Sequence, residues 1–326
     1  MATVAFEATS DSILATIGST PLVALDRLAG GLPARLLAKI ESTNPGASIK
    51  DRIALRIVEA AERSGRLQPG GTIVEMTSGN TGTGLAIVCA VKGYRLIAVM
   101  SEGNSLERRR MLEALGATVE LVPQVQGDHP GEVSGDDLAA VERRTVELVK
   151  DLHAFYADQF NNAANSAAHD EGTAEEIWQQ TAGAVTAFVS TVGTGGTFVG
   201  TARGLKRHNR AIRAYAVEPA GAAVLAGQPV RQARHKIQGA GYGRRPGLWD
   251  PNLADGFFTV TDVEAIAAAR ALAHREGIFA GFSSGANVHA ALQLAGRSAG
   301  GVIVTTINDS GLKYLSTDLF PAAPRA

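Results

Sequence analysis

The sequence predicts an α/β protein built on a largely parallel sheet, and three features of the chain support this prediction. Short apolar runs alternate with helix-like segments along most of the 326 residues. The runs lack the polar alternation of half-exposed strands, which is typical of strands buried on both faces. Helical segments between such strands imply βαβ units. At ~100–200 residues per domain, the length allows about two domains.

The predicted elements follow a regular order. In the first half of the chain three strands are predicted, Thr72–Met76, Arg95–Met100 and Thr118–Val122. The helices between them are Gly82–Lys92, which Gly93 closes, and Ser105–Leu115. Three further strands are predicted, Val185–Ser190, Ile212–Val217 and Gly301–Thr306. Pro123–Asp137 is predicted to be a surface loop. The glycine-rich stretch Pro219–Asp255 is expected to be a functional lid or rim, because loops longer than ~12–15 residues are usually functional or disordered.

Composition excludes several classes of partner. The chain is 45% hydrophobic and 19% charged with a formal net charge of −1, which gives no support for nucleic acid or an anionic membrane. The single cysteine, Cys89, cannot form an intrachain disulfide and is expected to be buried. No basic leader segment and no apolar stretch of ~18 residues is evident, so a cytoplasmic protein is expected. The seven histidines have no metal-ligand spacing, and no catalytic metal is expected.

The first of four polar loops is Asn44–Arg52. Ser48 is predicted to cap the following helix, with Asp51 at the capping-box spacing. Lys50 then lies in the first helical turn, near the positive end of the helix dipole, where a cation is unfavourable. Two interpretations stay open from this loop: an exposed lysine whose charge Asp51 offsets, or a lysine kept neutral as an imine.

The other three loops also join strands to helices, where ligands bind in open α/β sheets. Thr77–Gly82 carries hydroxyl and amide groups that suit a carboxylate. Gly193–Thr197 fits a phosphate cradle, and it lacks the lysine of an NTPase loop and the spacing of a dinucleotide loop. Gly281–Ala286, taken alone, is most often a helix cap.

Together these loops resemble the cysteine synthase (O-acetylserine sulfhydrylase) and cystathionine β-synthase family of fold-type II pyridoxal-phosphate enzymes. The matching motifs cover nearly the whole chain in order: Ile17–Val23, Asn44–Arg52, Thr77–Gly82, Glu107–Arg109, Gln159–Phe160, Gly193–Thr197, Lys236–Gly243, Glu276–Ala286 and Asp309–Thr317. The resemblance implies a tryptophan synthase β-like fold with two open, twisted, mostly parallel sheets flanked by helices. It also implies a smaller mobile domain, residues 48–158, and a larger phosphate-binding domain, residues 1–47 and 159–326.

The resemblance further implies a role for each motif. Lys50 would hold pyridoxal 5'-phosphate as an imine and would take the α-proton of the substrate. Asn80 would bind the 3'-oxygen of the cofactor, and Ser283 would face its pyridine nitrogen. The phosphate would lie on Gly193, Thr194, Gly195, Gly196 and Thr197. The substrate would contact Thr77, Ser78, Thr81, Gln159 and Gly239.

The chain departs from the family pattern at four places. Asn162–Asn165 lacks the usual proline, and Gln126–Asp137 is longer and more acidic than expected. Asn308 stands where proline or cysteine is common. Arg244 and Arg245 lie at the predicted rim, and two interpretations stay open: they are solvated, or they recognise an anionic substrate.

The expected reaction is β-replacement on an activated L-serine through an aminoacrylate intermediate. The favoured form converts O-acetylserine and sulfide into L-cysteine. The alternative is a specialised β-substitution that uses O-phosphoserine or a non-sulfide nucleophile, as in 2,3-diaminopropionate-type biosynthesis. The resemblance also implies a homodimer and, in some members, binding of the C-terminus of a serine acetyltransferase.

Overall fold

The computed structural model describes residues 10–104, 106–125, 135–232 and 234–320, which form two sheets and the helices that cover them. The larger sheet contains β1 (Leu22–Ala24), β2 (Arg35–Ile40), β7 (Val185–Thr191), β8 (Arg213–Pro219), β9 (Gly256–Val260) and β10 (Val302–Ile307). Its order is β1-β2-β10-β7-β8-β9, with β1 antiparallel at one edge and every other pair parallel.

The smaller sheet is entirely parallel. It contains β3 (Thr72–Met76), β4 (Arg95–Ser101), β5 (Thr118–Val122) and β6 (Phe155–Tyr156) in the order β5-β4-β3-β6. The predicted α/β class and the two mostly parallel sheets are confirmed. All six predicted strands form, with ends shifted by at most two residues.

Ten α-helices lie within the described ranges. They are α1 (Asp26–Ala29), α2 (Lys50–Arg63), α3 (Asn80–Lys92), α4 (Leu106–Ala114), α5 (Gly135–Asp151), α6 (Ala163–Ala168), α7 (Ala174–Gln180), α8 (Gly196–His208), α9 (Asp262–Ala271) and α10 (Phe282–Arg297). Helix α3 begins two residues earlier than predicted and ends at Gly93, whose φ of +76° is the left-handed conformation that a glycine cap supplies. Helix α5 begins at Gly135, so the end of the predicted loop Pro123–Asp137 is helical, and residues 126–134 lie outside the described residues.

The apolar core lies on both faces of each sheet, as the unbroken apolar runs predict. Along β2, Leu36 and Ala38 pack in the cluster that contains α9 and α10, whereas Leu37 packs with α8. In the smaller sheet, Ile73 packs with α2 and α3, and the adjacent Val74 packs in a second cluster. Apolar side chains therefore pack on both faces of each sheet, and the carboxyl ends of the strands are left to line a cavity.

Three further predictions concern single features. Cys89 is buried as expected, and burial raises the pKa of its thiol to about 12, so it is a poor nucleophile at neutral pH. None of the helices that the structure describes is both long and apolar enough to cross a bilayer. Between β8 and β9 the described residues form a single 3-10 turn, Pro251–Leu253, in keeping with the long loop predicted there.

Candidate active site

A cavity of about 970 Å³ lies where the carboxyl ends of strands from both sheets meet. Its lining includes Met76 of β3, Ser101 of β4 and Thr191 of β7. Most of the polar loops predicted from the sequence open into it. Parallel strands present the free N–H groups of the following helices at this edge, which favours an anionic ligand.

Lys50 is the first residue of α2 and lines the cavity. Its backbone N–H donates to Ser48 Oγ over 3.2 Å, so Ser48 does satisfy a helix N-terminal amide, although the N-cap residue is Ile49, one position later than predicted. The predicted capping box is wrong, however. Asp51 does not reach back to Ser48, and its carboxylate accepts a hydrogen bond from the N–H of Gly46. The tight turn Asn44–Ala47 places the N–H of Gly46 against this carboxylate.

The Lys50 amine is partly buried and donates no hydrogen bond to any described residue. Burial lowers the pKa of Lys50, and the charges of Asp309 and Glu41 oppose this effect only in part. Burial raises the pKa of Asp51 to about 6, so it stays mostly ionised at neutral pH. Its carboxylate accepts from Gly46, however, and it is not among the charges that raise the pKa of Lys50. Of the two interpretations left open by the sequence, the structure therefore favours a lysine kept neutral.

The loop Thr77–Gly82 connects β3 to α3 along the cavity. Thr77 Oγ1 accepts from the N–H of Gly82 over 2.9 Å, which holds the loop closed on itself. Thr81 Oγ1 donates to Gln159 Oε1 over 2.6 Å, so two of the predicted substrate contacts are adjacent. Ser78 lines the cavity 3.5 Å from the guanidinium of Arg108.

Asn80 begins α3 and is held from the far end of the chain. Its Nδ2 donates to Asp309 Oδ2 over 2.7 Å, and its Oδ1 accepts from Lys313 Nζ over 2.6 Å. Asp309 Oδ2 also accepts from the hydroxyl of Tyr314 over 2.6 Å. The sequence prediction missed Asp309 and Lys313, although both lie in the motif Asp309–Thr317. They fix which way the amide of Asn80 faces.

The segment Gly193–Thr197 forms the opposite wall and runs into the first turn of α8. Gly195 has a φ of +92°, which favours glycine. A Cβ on Gly193 would stand 2.0 Å from the carbonyl oxygen of Gly239, so no side chain fits there. Within the described chain, the N–H groups of residues 193–197 donate to no partner. The bare amides at a helix N-terminus fit the phosphate of pyridoxal phosphate.

Two buried side chains support this cradle. Thr197 Oγ1 lies 3.1 Å from His169 Nε2, and burial lowers the pKa of His169 well below its usual value, so the imidazole is neutral. Asn165 donates to Thr194 Oγ1 over 2.9 Å and to the carbonyl of Gln159 over 2.7 Å. Although the segment Asn162–Asn165 lacks the usual proline, Asn165 thus joins the cradle to Gln159, one of the predicted substrate contacts.

Ser283 is the second residue of α10 and lines the same cavity, as does Asn308. The interpretation of Gly281–Ala286 as a cap is wrong, because the N-cap is Gly281 and no side chain accepts a capping hydrogen bond there. Instead Ser284 Oγ accepts from the backbone N–H of Asn308. The serines face the end of β10 rather than their own helix.

The two rim arginines are exposed and do not line the cavity. The guanidinium of Arg244 lies 5.6 Å from the centre of the Phe160 ring, a cation–π arrangement. The arginine that does line the cavity is Arg108 of α4, which donates to Gln238 Oε1 as well as facing Ser78. It lies in the motif Glu107–Arg109, but the direction of its side chain could not be predicted from the sequence.

Comparison with known proteins shows which family the chain belongs to. A family model described as "Pyridoxal-phosphate dependent enzyme" matches residues 13–309. Cysteine synthase 3 of Caenorhabditis elegans is 44% identical over 310 residues, which cover 94% of this chain and 88% of that protein. The chain belongs to the cysteine synthase family of pyridoxal-phosphate dependent enzymes. A cysteine synthase of Staphylococcus aureus is 40% identical over 312 residues, covering 95% of this chain and 97% of that protein.

Solved structures of the same family superpose along the whole chain. O-acetyl serine sulfhydrylase isoform 3 from Entamoeba histolytica has a TM-score of 0.89 and 36% identity, covering 100% of this chain and 96% of that one. O-ureido-L-serine synthase has the same TM-score and 40% identity, covering 98% of each chain. The protein is thus a β-replacing enzyme whose cofactor is pyridoxal phosphate. Which substrates it joins is a separate question, because relatives of equal similarity carry different names.

Proposed function

We propose that the protein makes L-cysteine from O-acetyl-L-serine and sulfide. The Cβ–O bond of the substrate breaks and acetate leaves, a Cβ–S bond forms, and a proton removed from Cα is returned to it. One observation carries the proposal: a single cavity is lined by a lysine of lowered pKa, a glycine cradle and a hydroxyl-rich loop. The lysine serves to attach the cofactor, the glycine cradle to hold its phosphate, and the hydroxyl-rich loop to bind the substrate carboxylate.

Lys50 is the residue that attaches the cofactor and moves the Cα proton. Its lowered pKa favours the neutral amine, which is both a nucleophile and a base. Pyridoxal phosphate, when bound, supplies the carbonyl carbon for this attachment and a ring that withdraws electrons from Cα. The free amides of Gly193–Thr197 would hold its phosphate, Asn80 would bind its 3'-oxygen, and Ser283 would donate to its ring nitrogen.

The substrate carboxylate binds the loop that begins at Thr77. Ser78 supplies a hydroxyl donor there. The one hydroxyl hydrogen of Thr81 is donated to Gln159 Oε1, so the Thr81 side chain contributes by orienting Gln159. Gly239, on the opposite wall, has a φ of +82° and brings bare backbone to the cavity. Such donors suit an α-carboxylate whatever the leaving group is.

We infer that residues 48–158 move toward the rest of the chain when the carboxylate binds. The four strands of the smaller sheet all lie within this range. The hydrogen bond from Arg108 to Gln238 joins α4 to the long loop after β8 across the cavity mouth. Closure there would exclude water from the reacting β-carbon.

A second candidate function uses O-phosphoserine or a nucleophile other than sulfide. The similarity to O-ureido-L-serine synthase and the cationic Arg108 in the cavity favour it. If a phosphate leaving group were recognised, Arg108 would be the contact, because Arg244 and Arg245 lie outside the lining. The similarity over the whole chain to O-acetyl serine sulfhydrylase isoform 3 supports acetate as the leaving group.

The test is a matrix of activated serines and nucleophiles. We expect O-acetylserine to produce a new absorption band in the cofactor-loaded protein, which sulfide then removes as cysteine forms. O-phosphoserine is the alternative donor, and hydroxyurea is the oxygen nucleophile that the name O-ureido-L-serine implies. Products are identified by mass spectrometry. No spectral change with O-acetylserine, or a kcat/KM at least tenfold higher for O-phosphoserine, would contradict the proposal.

Two arginine variants separate the candidates further. Arg108→Gln should lower kcat/KM for O-phosphoserine at least about tenfold if that compound is a substrate, since a charge-assisted hydrogen bond is worth about 1.5–3 kcal/mol. The matched control, Arg244→Gln, should leave kcat/KM unchanged for both O-acetylserine and O-phosphoserine. A loss in Arg244→Gln without a loss in Arg108→Gln would place phosphate recognition at the rim.

We also infer a cytoplasmic homodimer, which the family resemblance supports. Light scattering during size-exclusion chromatography measures the dimer directly. Binding of a serine acetyltransferase C-terminus is the further partner that the resemblance implies. A synthetic peptide of that type should compete with O-acetylserine for the cavity, and a peptide that binds without competition would count against this site.

A further inference from the structure

We propose that Asn308 is a positioning residue that fixes the direction of the hydrogen bond between Ser283 and the ring nitrogen of the cofactor. This inference rests on the proposed role of Ser283. Asn308 Nδ2 donates to Ser283 Oγ over 3.1 Å and to Thr191 Oγ1 over 3.2 Å. Asn308 and Ser283 both line the cavity.

The amide of Asn308 cannot be turned over without breaking a chain of hydrogen bonds. Its Oδ1 accepts from the hydroxyl of Thr306 over 2.7 Å. Thr306 Oγ1 in turn accepts from Asn287 Nδ2 over 3.1 Å, so its single hydrogen is left to donate to Asn308. Asn287 is itself fixed, because its Oδ1 accepts from the backbone N–H of Thr191 over 2.6 Å.

The backbone of Asn308 is equally constrained. Its N–H donates to Ser284 Oγ over 2.9 Å, and its carbonyl accepts from the N–H of Ile49 over 2.8 Å. Ile49 immediately precedes Lys50. The residue therefore connects the end of β10 to α10, which carries Ser283, and to the start of α2, which carries the lysine. A proline at position 308 would lack both the N–H and the side-chain donor.

The consequence lies in the one hydrogen of Ser283. A hydroxyl is one donor and an acceptor. The acceptor side of Ser283 Oγ receives the N–H of Asn308, and the hydroxyl donates to no residue in the described ranges. Ser283 is buried and lines the cavity, so its hydroxyl hydrogen is available to a ligand held there. A donor in that place pairs with an unprotonated ring nitrogen and disfavours a protonated one.

The test measures the protonation state of the ring nitrogen rather than turnover. Wild-type protein loaded with ¹⁵N-labelled pyridoxal phosphate should give the ¹⁵N shift of a hydrogen-bonded, neutral pyridine. In Asn308→Asp the side chain becomes an acceptor, so the Ser283 hydroxyl turns toward it and presents a lone pair to the ring. The ¹⁵N signal should then move to the pyridinium range. An unchanged signal overturns the proposal.

Two further variants show that the effect passes through Ser283. In the double variant Asn308→Asp, Ser283→Ala the pyridinium signal should disappear, and its persistence would mean that the carboxylate acts directly, which overturns the positioning role. Asn308→Ala keeps the proposal testable if the aspartate variant does not fold. It should move the ¹⁵N signal toward that of Ser283→Ala, and a signal identical to wild type overturns the proposal.

The outcome is separable from that of the proposed function. Cofactor content and melting temperature show whether each variant is loaded and folded before its spectrum is read. If wild type makes no cysteine but the ¹⁵N signals move as expected, the proposed substrates are wrong and the role of Asn308 stands. If cysteine forms and the signals do not move, only the role of Asn308 fails.

Discussion

Replacing Arg52 by methionine should destabilise the protein strongly without removing any group from the cavity. Arg52 lies in the first turn of α2 and is 6% exposed. Its Nε and Nη2 donate to both oxygens of Glu41 over 2.7 and 2.9 Å. Its Nη1 and Nη2 donate to both oxygens of Glu176 over 2.6 and 2.8 Å. One guanidinium thus joins the segment after β2, helix α7 and the helix that begins at Lys50.

The expected magnitude follows from the carboxylates that would be left behind. Burial alone would raise the pKa of Glu176, but the hydrogen bonds and charges of Arg52 and Lys39 outweigh it and lower the pKa from 4.5 to about 2. That difference corresponds to about 3 kcal/mol in favour of the folded carboxylate. Removing one partner of a buried ion pair costs about 3–5 kcal/mol. We therefore expect Arg52→Met to lower the free energy of unfolding by about 3–5 kcal/mol.

Urea unfolding of the cofactor-loaded protein, followed by tryptophan fluorescence and by circular dichroism, measures this loss. The matched control is Arg56→Met, one turn further along α2. Arg56 pairs with Glu171, but the two side chains are 30% and 58% exposed, so a loss of at most about 1 kcal/mol is expected. Equal losses in the two variants would refute the reasoning.

The pH dependence of the same comparison is an additional check. Because the folded pKa of Glu176 lies below its unfolded value, its contribution to stability is fully present above about pH 4.5 and is lost as the pH falls toward 2. The difference between wild type and Arg52→Met should shrink over that interval. A difference that stays constant from pH 6 to pH 3 would contradict the assignment to this carboxylate.

Three further predictions concern the cavity and the strand below it. Lys50→Ala should leave pyridoxal phosphate bound only non-covalently, so that borohydride no longer fixes it to the chain in mass spectra; retained labelling would exclude Lys50. Gly193→Ala should weaken cofactor binding at least about tenfold in a fluorescence titration, because its Cβ would stand 2.0 Å from the carbonyl oxygen of Gly239. The control Gly296→Ala should bind the cofactor normally, because its Cβ would meet no atom closer than 3.9 Å. Burial raises the pKa of Glu75 to about 8, so the folded protein keeps a proton there that the unfolded chain releases above about pH 4.5. Wild type should therefore lose stability relative to Glu75→Gln, on the order of a few kcal/mol, as the pH rises from about 4.5 to 8, and parallel melting curves across this range would contradict the prediction.

For three of the four strands that were not predicted from the sequence, the structure shows why. β2 contains Lys39, a residue type that pattern reasoning assigns to the surface. In the structure Lys39 is fully buried and lies 2.5 Å from Glu176, which accounts for a charge inside a strand. β1 and β6 have three and two residues, too few to show a period. Their pairing depends on neighbouring strands rather than on their own side chains.

The Ser48 capping box fails for a related reason. The spacing of Ser48 and Asp51 is correct, but a competing donor, the N–H of Gly46, is available once the preceding turn forms. The rim arginines show the same limit. Sequence position placed Arg244 and Arg245 near the entrance, and only side-chain direction shows that Arg108 faces into the cavity instead.

What the sequence by itself determined is the fold class, the family and the loops that carry Lys50, the glycine cradle and the hydroxyl donors. Apolar runs, glycines and N-terminal helix residues act over a few neighbouring positions, so they can be read locally. The tertiary structure alone decided how these groups are held. Asn80 is fixed by Asp309, which is 229 residues away. Ser283 of α10 is fixed by Asn308, which follows the end of β10. Such contacts depend on which chain segments the two sheets bring to one edge. Local residue preferences act over a few positions and cannot predict contacts between segments that are far apart in the sequence.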